Sequence, residues 1–485
     1  MKPLLLALVS AVLTILVFPR FELTWLAGVC LAPLILACAH EARPAVRLGF
    51  GWAAGIVYWC GVCYWIQPVL ANYASMSQPL AWFTFLLFGI GKGVHWAVFC
   101  WAAGYLVPAS WAVPAVAALW TGIERTNAIS FVWLPLGNAG LEMGIPMRLA
   151  PLVGVSGLSF VFATMNVAVA LLLLRRPRRH LLPLAGLLFL FLLPELPEAE
   201  KPAATAVLIQ PNIEERQEWT AEFTEHTIRS LALLSLEHAT EDRSKPAEVI
   251  VWPEVPAPFY FTDPMFRDQA EQLARVTQTS FLFGAVGRHP SGAPTNSAFM
   301  VGPDGNFVAR YDKVNLVPFG EFVPSGFWWI EKISSESGNF VAGSRRVLFP
   351  SRQGSLGVFI CYESAFPNFV RQFVADGAQV LVNLSNDGYF GRSAAREQHL
   401  WLARMRAAEN RRWLIRATND GISAVIDPAG RLAQQFAPLK RLSAKARFSY
   451  RSDQTPFSKY GDWFAWSCLV AGALSGVLSC RWRPS

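Results

Sequence analysis

Charge is scarce in this sequence. Only 16% of its 485 residues are Asp, Glu, Lys or Arg, against about 25% in an ordinary soluble domain. The shortage is local: residues 3–19, 23–39, 49–91, 149–174 and 463–480 carry no charged side chain. That distribution excludes a wholly soluble globular protein. A bilayer core takes about 20 apolar residues per helix. Spans are therefore expected near 3–19, 23–39, 48–68, 80–103, 105–123, 149–174 and 181–194, with an eighth at 463–480. The run after Lys2 reads as a span and not as a cleaved leader, because no small-residue cleavage site follows it and further spans do. Histidine and cysteine are also few, at seven and eight. They form no cluster with metal-ligand spacing, and the chain has no glycine-rich phosphate loop, so neither a metal nor another cofactor is expected.

Lys and Arg in short loops set the orientation of a membrane protein. Arg43 and Arg47 lie between the second and third stretches. Arg175, Arg176, Arg178 and Arg179 lie between the sixth and seventh, and Arg481 and Arg483 follow the last. The loop at 69–78 has none. With the basic loops in the cytoplasm, the organisation is a membrane domain of about seven helices over 1–194, a linker at 195–204, an extracytoplasmic domain at 205–462, a C-terminal span at 463–480 and a basic cytoplasmic tail at 481–485. The basic loops account for much of the net charge of +8, so no nucleic-acid partner is expected.

The linker ELPEAEKPAA is polar and Pro-rich, and after it short β-rich runs alternate with helical patterns. TAVLIQ (205–210), EVIVWPE (248–254), FLFGAVG (281–287), SAFMVG (297–302), NFVARYDK (306–313), SLGVFICYES (355–364) and AQVLVNLSND (378–387) read as strands. Helices are expected near 215–240, 263–276 and 394–410, and PDG at 303–305 marks a hairpin turn. Alternation of this kind over some 260 residues suffices for one α/β core.

Cys361 is the one cysteine between residues 101 and 467. A thiol in an oxidising compartment pairs, is buried and inert, or is retained for reactivity. Cys361 closes an apolar strand run, as do Glu254 in VIVWPE and Lys313 in ARYDK. Strand ends hold side chains rigidly at the rim of a sheet. Taken singly, Cys361 fits core filler, Lys313 a surface lysine and Glu254 a cap. A thiol nucleophile needs a base or a cation. Histidine could supply the base only through His399, whereas a carboxylate with a lysine supplies both base and oxyanion donor.

The words WPE (252–254), YDKVNLVPFGEFVP (311–324) and CYES (361–364) resemble the nitrilase, or carbon–nitrogen hydrolase, superfamily and its Glu–Lys–Cys triad. With spans before and after the domain, and with NLSNDGYFG (383–391) and ATNDGISAVIDPAG (417–430), the chain is similar over its length to the apolipoprotein N-acyltransferase family. The resemblance implies a polytopic α-helical membrane domain carrying a nitrilase-like αββα sandwich. It implies Glu254 as general base, Lys313 as oxyanion stabiliser and Cys361 as nucleophile, supported by Glu321, Tyr362 and Glu363, with Trp219 near the acyl or substrate site. The implied reaction moves an acyl chain from a phospholipid, through a thioester, to the amine of a diacylglyceryl-cysteine apolipoprotein. The implied place is the bacterial inner membrane, with the catalytic domain periplasmic.

Two aromatic stretches add substrate candidates: Phe259 with Tyr260 and Phe261 after the base, and Phe327, Trp328 and Trp329 after the lysine motif. Either they line a lipid entrance or they pack on the domain's own core. Two rival functions stand beside this one, a membrane-anchored hydrolase and a transporter with an inactive soluble domain. A membrane-anchored amidase or nitrilase would hydrolyse a small amide with the same triad. A transporter would use Lys92 and His95 inside the fourth stretch.

Overall fold

The structure is a computed structural model, and it describes residues 2–72, 76–127, 131–198, 201–214, 219–241, 246–322 and 340–481. The chain divides into two units: Met1–Pro68, Ser77–Leu196 and Tyr460–Ser485 form the first, and Val69–Met76 with Pro197–Lys459 the second.

The first unit is built of apolar helices. Pro44–Val62, Gln78–Leu106 and Val155–Leu173 are long and apolar enough to cross a membrane, and Lys2–Val17, Thr24–His40 and Trp463–Ser479 are apolar but shorter. Where lipid removes the hydrophobic drive between helices, close backbone approach takes its place. Gly55 and Gly93 provide it here, since a Cβ on Gly55 would lie 2.8 Å from the Gly93 Cα. The stretch expected as one span at 23–39 is broken into a 3-10 turn, Thr24–Gly28, and an α-helix, Ala32–His40. Backbone groups freed by a break must be satisfied within the bundle. Asn166 does this: its Oδ1 accepts from the Leu31 and Ala32 amides at 2.6 and 3.0 Å, and its Nδ2 donates to Ala27 O at 2.7 Å. The stretch expected as an α-helix at 181–194 is instead a 3-10 helix, Arg178–Leu192, with Pro183 inside it. A proline cannot donate to the ladder of an α-helix and clashes with the preceding turn.

The second unit is a two-sheet sandwich between helices. One sheet runs in the order β12 (Leu442–Phe448), β1 (Ala204–Gln210), β2 (Val249–Val251), β3 (Ser280–Arg288), β4 (Pro294–Val301), β5 (Phe307–Asp312). The other runs β11 (Leu432–Gln435), β10 (Ala424–Ile426), β9 (Leu414–Thr418), β8 (Val380–Ser385), β7 (Ser355–Ile360), β6 (Leu348–Pro350). In each sheet the middle strands pair in parallel, β1–β2–β3 and β7–β8–β9, and the flanking strands are antiparallel. Strand periodicity of two sorts the first sheet's side chains. Ala206, Leu208, Val251 and Met300 join Val358, Ile360, Val382 and Leu384 in one buried cluster between the sheets. Val207, Ile209, Ile250, Phe281 and Phe283 face the other way, onto Ile228, Leu231, Phe266 and Leu273 of helices Ala221–Ala239 and Pro264–Thr277. Helices Pro367–Ala375 and Ala395–Asn410 supply Phe373, Leu400 and Ala403 to the second sheet. The carboxyl ends of the parallel strands are the rim where α/β sheets place ligands, and β2, β7 and β8 end there at Val251, Ile360 and Ser385.

Candidate active site

Glu254, Lys313 and Cys361 each follow a strand end. Beyond β2, Trp252 donates its amide to Leu282 O (2.9 Å) and Gly284 donates to Pro253 O (3.1 Å), which straps residues 252–254 to β3. The approach is so close that a Cβ on Gly284 would meet Pro253 O at 2.5 Å. Glu254, thus fixed, is 6% exposed. Lys313, one residue past β5, is 1% exposed, and its amide donates to Asn296 O at 2.8 Å. Cys361 follows β7 directly, at φ +51°, and opens the 3-10 turn Cys361–Ala365. A left-handed, non-glycine residue at a functional rim is strained backbone that its surroundings must hold.

The structure brings Glu254, Lys313 and Glu321 together. The Lys313 ammonium donates to Glu254 Oε1 at 3.1 Å and lies 3.0 and 2.9 Å from the two oxygens of Glu321. Asn296, which the sequence reading missed, donates from Nδ2 to Glu254 Oε1 (2.7 Å) and to Glu321 Oε1 (2.6 Å). The Asn386 amide, beyond β8, donates to Glu254 Oε2 at 2.9 Å. Burial opposes the charge on Lys313, but the Glu254 and Glu321 carboxylates outweigh it and hold its pKa well above that of a free lysine. Burial pushes the Cys361 thiol well above its ordinary value, and the Glu254 charge adds to this while the Lys313 charge opposes it. Burial and the Glu254 charge thus both favour the protonated form of this thiol.

Glu363 ties the two motifs together. Its Oε2 accepts from the Ile360 amide (2.7 Å), and its Oε1 accepts from the Tyr311 hydroxyl (2.6 Å) and from the amides of Val314 (2.8 Å) and Asn315 (3.1 Å). One fully buried carboxyl thus links the Cys361 turn to the lysine loop. Burial raises its pKa, against those donors. Tyr362 is buried in the turn with its ring edge-on to Phe366 at 5.0 Å.

His399 does not face the thiol. Its Nε2 lies 3.0 Å from the Cys361 carbonyl, to which it donates, and its Nδ1 lies 2.9 Å from Asp387 Oδ1. Arg416 donates to Asp387 Oδ2 at 2.8 Å. Burial raises the Asp387 carboxyl, but Arg416 and His399 more than reverse this and leave it below the usual carboxylate range. The histidine therefore braces the backbone of the strained residue, and the Cys–His arrangement left open by the sequence is not formed.

The aromatic candidates divide. Phe259 is 2% exposed and stacks on Phe266 at 4.7 Å, within the cluster on the helix side of the first sheet, so of its two expected places it takes the one on the domain's own core and not the lipid entrance. Phe261 packs likewise on Phe283, Phe299 and Phe307. Trp219 is half-buried on the edge of that cluster, 6.3 Å from the Phe259 ring. Trp328 and Trp329 lie outside the described residues. Among the described residues no group of three or more His, Cys, Asp or Glu side chains is placed to hold a metal ion.

Two family models match the chain: the apolipoprotein N-acyltransferase N-terminal domain over residues 10–168 and carbon-nitrogen hydrolase over residues 205–442. Among curated proteins, the apolipoprotein N-acyltransferase of Geobacter metallireducens is 31% identical over 511 residues, covering 98% of this chain and 95% of that protein. That of Azotobacter vinelandii is 31% identical over 495 residues, covering 95% and 92%. Among solved structures, an amidase mutant of Nesterenkonia AN1 from the nitrilase superfamily matches with a TM-score of 0.40 at 18% identity, over 52% of this chain and 92% of that one. Saccharomyces cerevisiae Nit3 matches with 0.41 at 16%, over 52% and 93%. At that identity and span the relatives leave neither part of the chain unaccounted for, and the chain belongs to the apolipoprotein N-acyltransferase family of membrane acyltransferases.

Proposed function

We propose that the protein transfers a fatty acyl chain from a membrane phospholipid to the α-amine of a diacylglyceryl-cysteine apolipoprotein, through a thioester on Cys361. The observation that carries this is one buried ammonium held between two carboxyls, with its charge and that of Glu254 both acting on a buried thiol, in a chain with membrane-length apolar helices. As Cys361 Sγ attacks the ester carbonyl, Glu254 takes the thiol proton. The tetrahedral oxyanion is stabilised by Lys313 and by backbone amides of the Cys361–Tyr362 turn. Collapse breaks the ester C–O bond, Glu254 returns the proton to the leaving lysophospholipid oxygen, and a thioester remains. The lipoprotein amine then attacks the thioester, gives a proton to Glu254 and expels the sulfur, which is reprotonated. Amines attack thioesters readily, so a site that excludes water favours transfer over hydrolysis.

Incubation with phospholipid bearing a labelled acyl chain should leave hydroxylamine-sensitive label on Cys361, and a diacylglyceryl-cysteine peptide should discharge it into a stable amide. Release of free fatty acid with no amide would instead mark a hydrolase, and no labelled protein at all would reject the covalent route.

The basic loops support a periplasmic sandwich in the bacterial inner membrane. A reporter active only in the cytoplasm should be silent when fused near Pro202 and active when fused at Ser485. The reverse pattern overturns the orientation.

A further inference from the structure

The geometry points to Asn296 as the residue that positions both carboxyls of the site, an assignment that rests on the reading of Glu254 as general base. Asn296 lies in β4 and is 5% exposed. Its Nδ2 donates to Glu254 Oε1 and to Glu321 Oε1, at 2.7 and 2.6 Å. The Lys313 ammonium donates to the same two oxygens, at 3.1 and 3.0 Å. Two donors and two carboxyl oxygens therefore close a square. The amide can sit only one way round, because a turn of half a revolution would set its Oδ1 against two acceptors. In that orientation Oδ1 is buried and has no hydrogen-bond partner. Leaving a buried acceptor unpaired is costly, and a serine or an apolar residue at this strand position would avoid the cost. What the asparagine supplies in return is the second edge of the square.

The square selects the atom that does the chemistry. Glu254 Oε1 accepts from two donors, which fill its lone pairs. Oε2 accepts from the Asn386 amide and keeps one lone pair for the Cys361 proton. The charged and titratable groups that bear on this carboxyl are Lys313 from the end of β5, Glu321 from the turn after it and Cys361 from the end of β7, and Asp387 beyond β8, held by His399 and Arg416, bears on Cys361 in turn. Asn296 touches none of the reacting atoms and acts through Glu254. Without it, the ammonium would be the one donor shared by Glu254 and Glu321, and Oε1 of Glu254 would keep a single partner.

Asn296→Ala and Asn296→Asp separate a positioning donor from a space-filling residue. Aspartate has the shape of asparagine but replaces the shared donor with a third acceptor. The readout is the pH–rate profile of Cys361 alkylation by iodoacetamide on the full-length protein in detergent, followed by peptide mass spectrometry, which resolves Cys361 from the other cysteines. This needs no lipid, so it tests Asn296 whatever the natural acyl donor. Labelling of the wild-type protein by phospholipid vesicles tests the acyl-transfer reading separately. Removing a donor from a carboxylate favours its protonated form. The acid limb of Asn296→Ala should therefore move to higher pH, so that the variant is slower than wild type on that limb, and Asn296→Asp should be slower still. A profile for Asn296→Ala that superimposes on the wild type, or an Asn296→Asp protein faster than Asn296→Ala, overturns the assignment.

Discussion

Cys361→Ser should lower acyl transfer by about 10⁴-fold or more, the scale seen when an enzyme loses its nucleophile, while the protein still folds and inserts. The two side chains differ by one atom, and residue 361 is 8% exposed in a turn held from outside by the Glu363 carboxyl and by His399 on the Cys361 carbonyl. None of those holding groups touches the sulfur, so the turn should survive. The chemistry should not. Burial already pushes the cysteine thiol up, and in the proposed mechanism Glu254, fixed by Lys313, Asn296 and the Asn386 amide, takes its proton during attack. A hydroxyl is a far weaker acid than a thiol, and an ester formed on serine is a poorer acyl donor to an amine than a thioester. The variant should take no hydroxylamine-sensitive label from phospholipid, and a merely slow first step would leave a stable ester detectable by mass spectrometry. Retention of more than about a tenth of wild-type transfer would mean that Cys361 is not the nucleophile. A thiol pushed up by burial also predicts slow alkylation near neutral pH that accelerates as pH rises, the opposite of a preformed thiolate, whose rate would already be at its plateau.

How legible the site was in the sequence depends on how far each signal reaches along the chain. Glu254, Lys313 and Cys361 each stand where an apolar, β-rich run turns polar, so a few neighbours suffice to mark them. The same holds for Glu321 and Glu363, embedded in the words PFGE and CYE. Asn296 gives no such sign. It is one polar residue in the strand PTNSAFMV, and its partners Glu254 and Glu321 are 42 and 25 positions away. Arg416 in LIRAT reads as a charge on an exposed strand face, yet it is fully buried because Asp387, 29 residues earlier, lies beneath it. Phe259 misled in the other direction. Preceded by Pro256 and Pro258 it reads as a loop aromatic open to lipid, but the loop turns its ring inward onto Trp252 and Phe266. In the first unit hydropathy located the apolar stretches but not their interruptions. The break before Ala32 is satisfied by Asn166, 135 positions from Leu31, and no local pattern announces a cap delivered from that distance. Sequence periodicity thus carries strand ends and apolar faces, while pairings across the sandwich and between helices require the fold.

Lys313→Met should damage both stability and catalysis, and the two losses should respond to pH differently. The ammonium is 1% exposed and lies within 3.1 Å of both Glu254 and Glu321. Methionine matches its length and removes its charge, leaving two buried carboxyls with only the Asn296 amide between them. Breaking a buried ion pair from one side costs about 3–5 kcal/mol, enough to make the sandwich more open to proteolysis. The two carboxylates hold the wild-type lysine's pKa above its unfolded value. Its contribution to stability is therefore fully present below the unfolded pKa of about 10.4 and is lost only as pH rises through the higher folded value, so it is constant across neutral pH. In the variant the remaining defect is repulsion between like charges, which the uptake of one proton relieves. The stability deficit relative to wild type should accordingly be smaller in acid than in alkali, read by limited proteolysis of the sandwich in membranes at one pH on each side of neutrality. Catalysis should show no such recovery. Loss of an oxyanion donor costs about 10²–10³-fold in rate, and a protonated Glu254 is no longer a base, so acidification that restores the fold should depress acylation of Cys361 further. A Lys313→Met protein that is equally stable at both pH values would mean that the two carboxyls do not repel across the site. One that still acylates Cys361 at close to the wild-type rate would remove Lys313 from the oxyanion role.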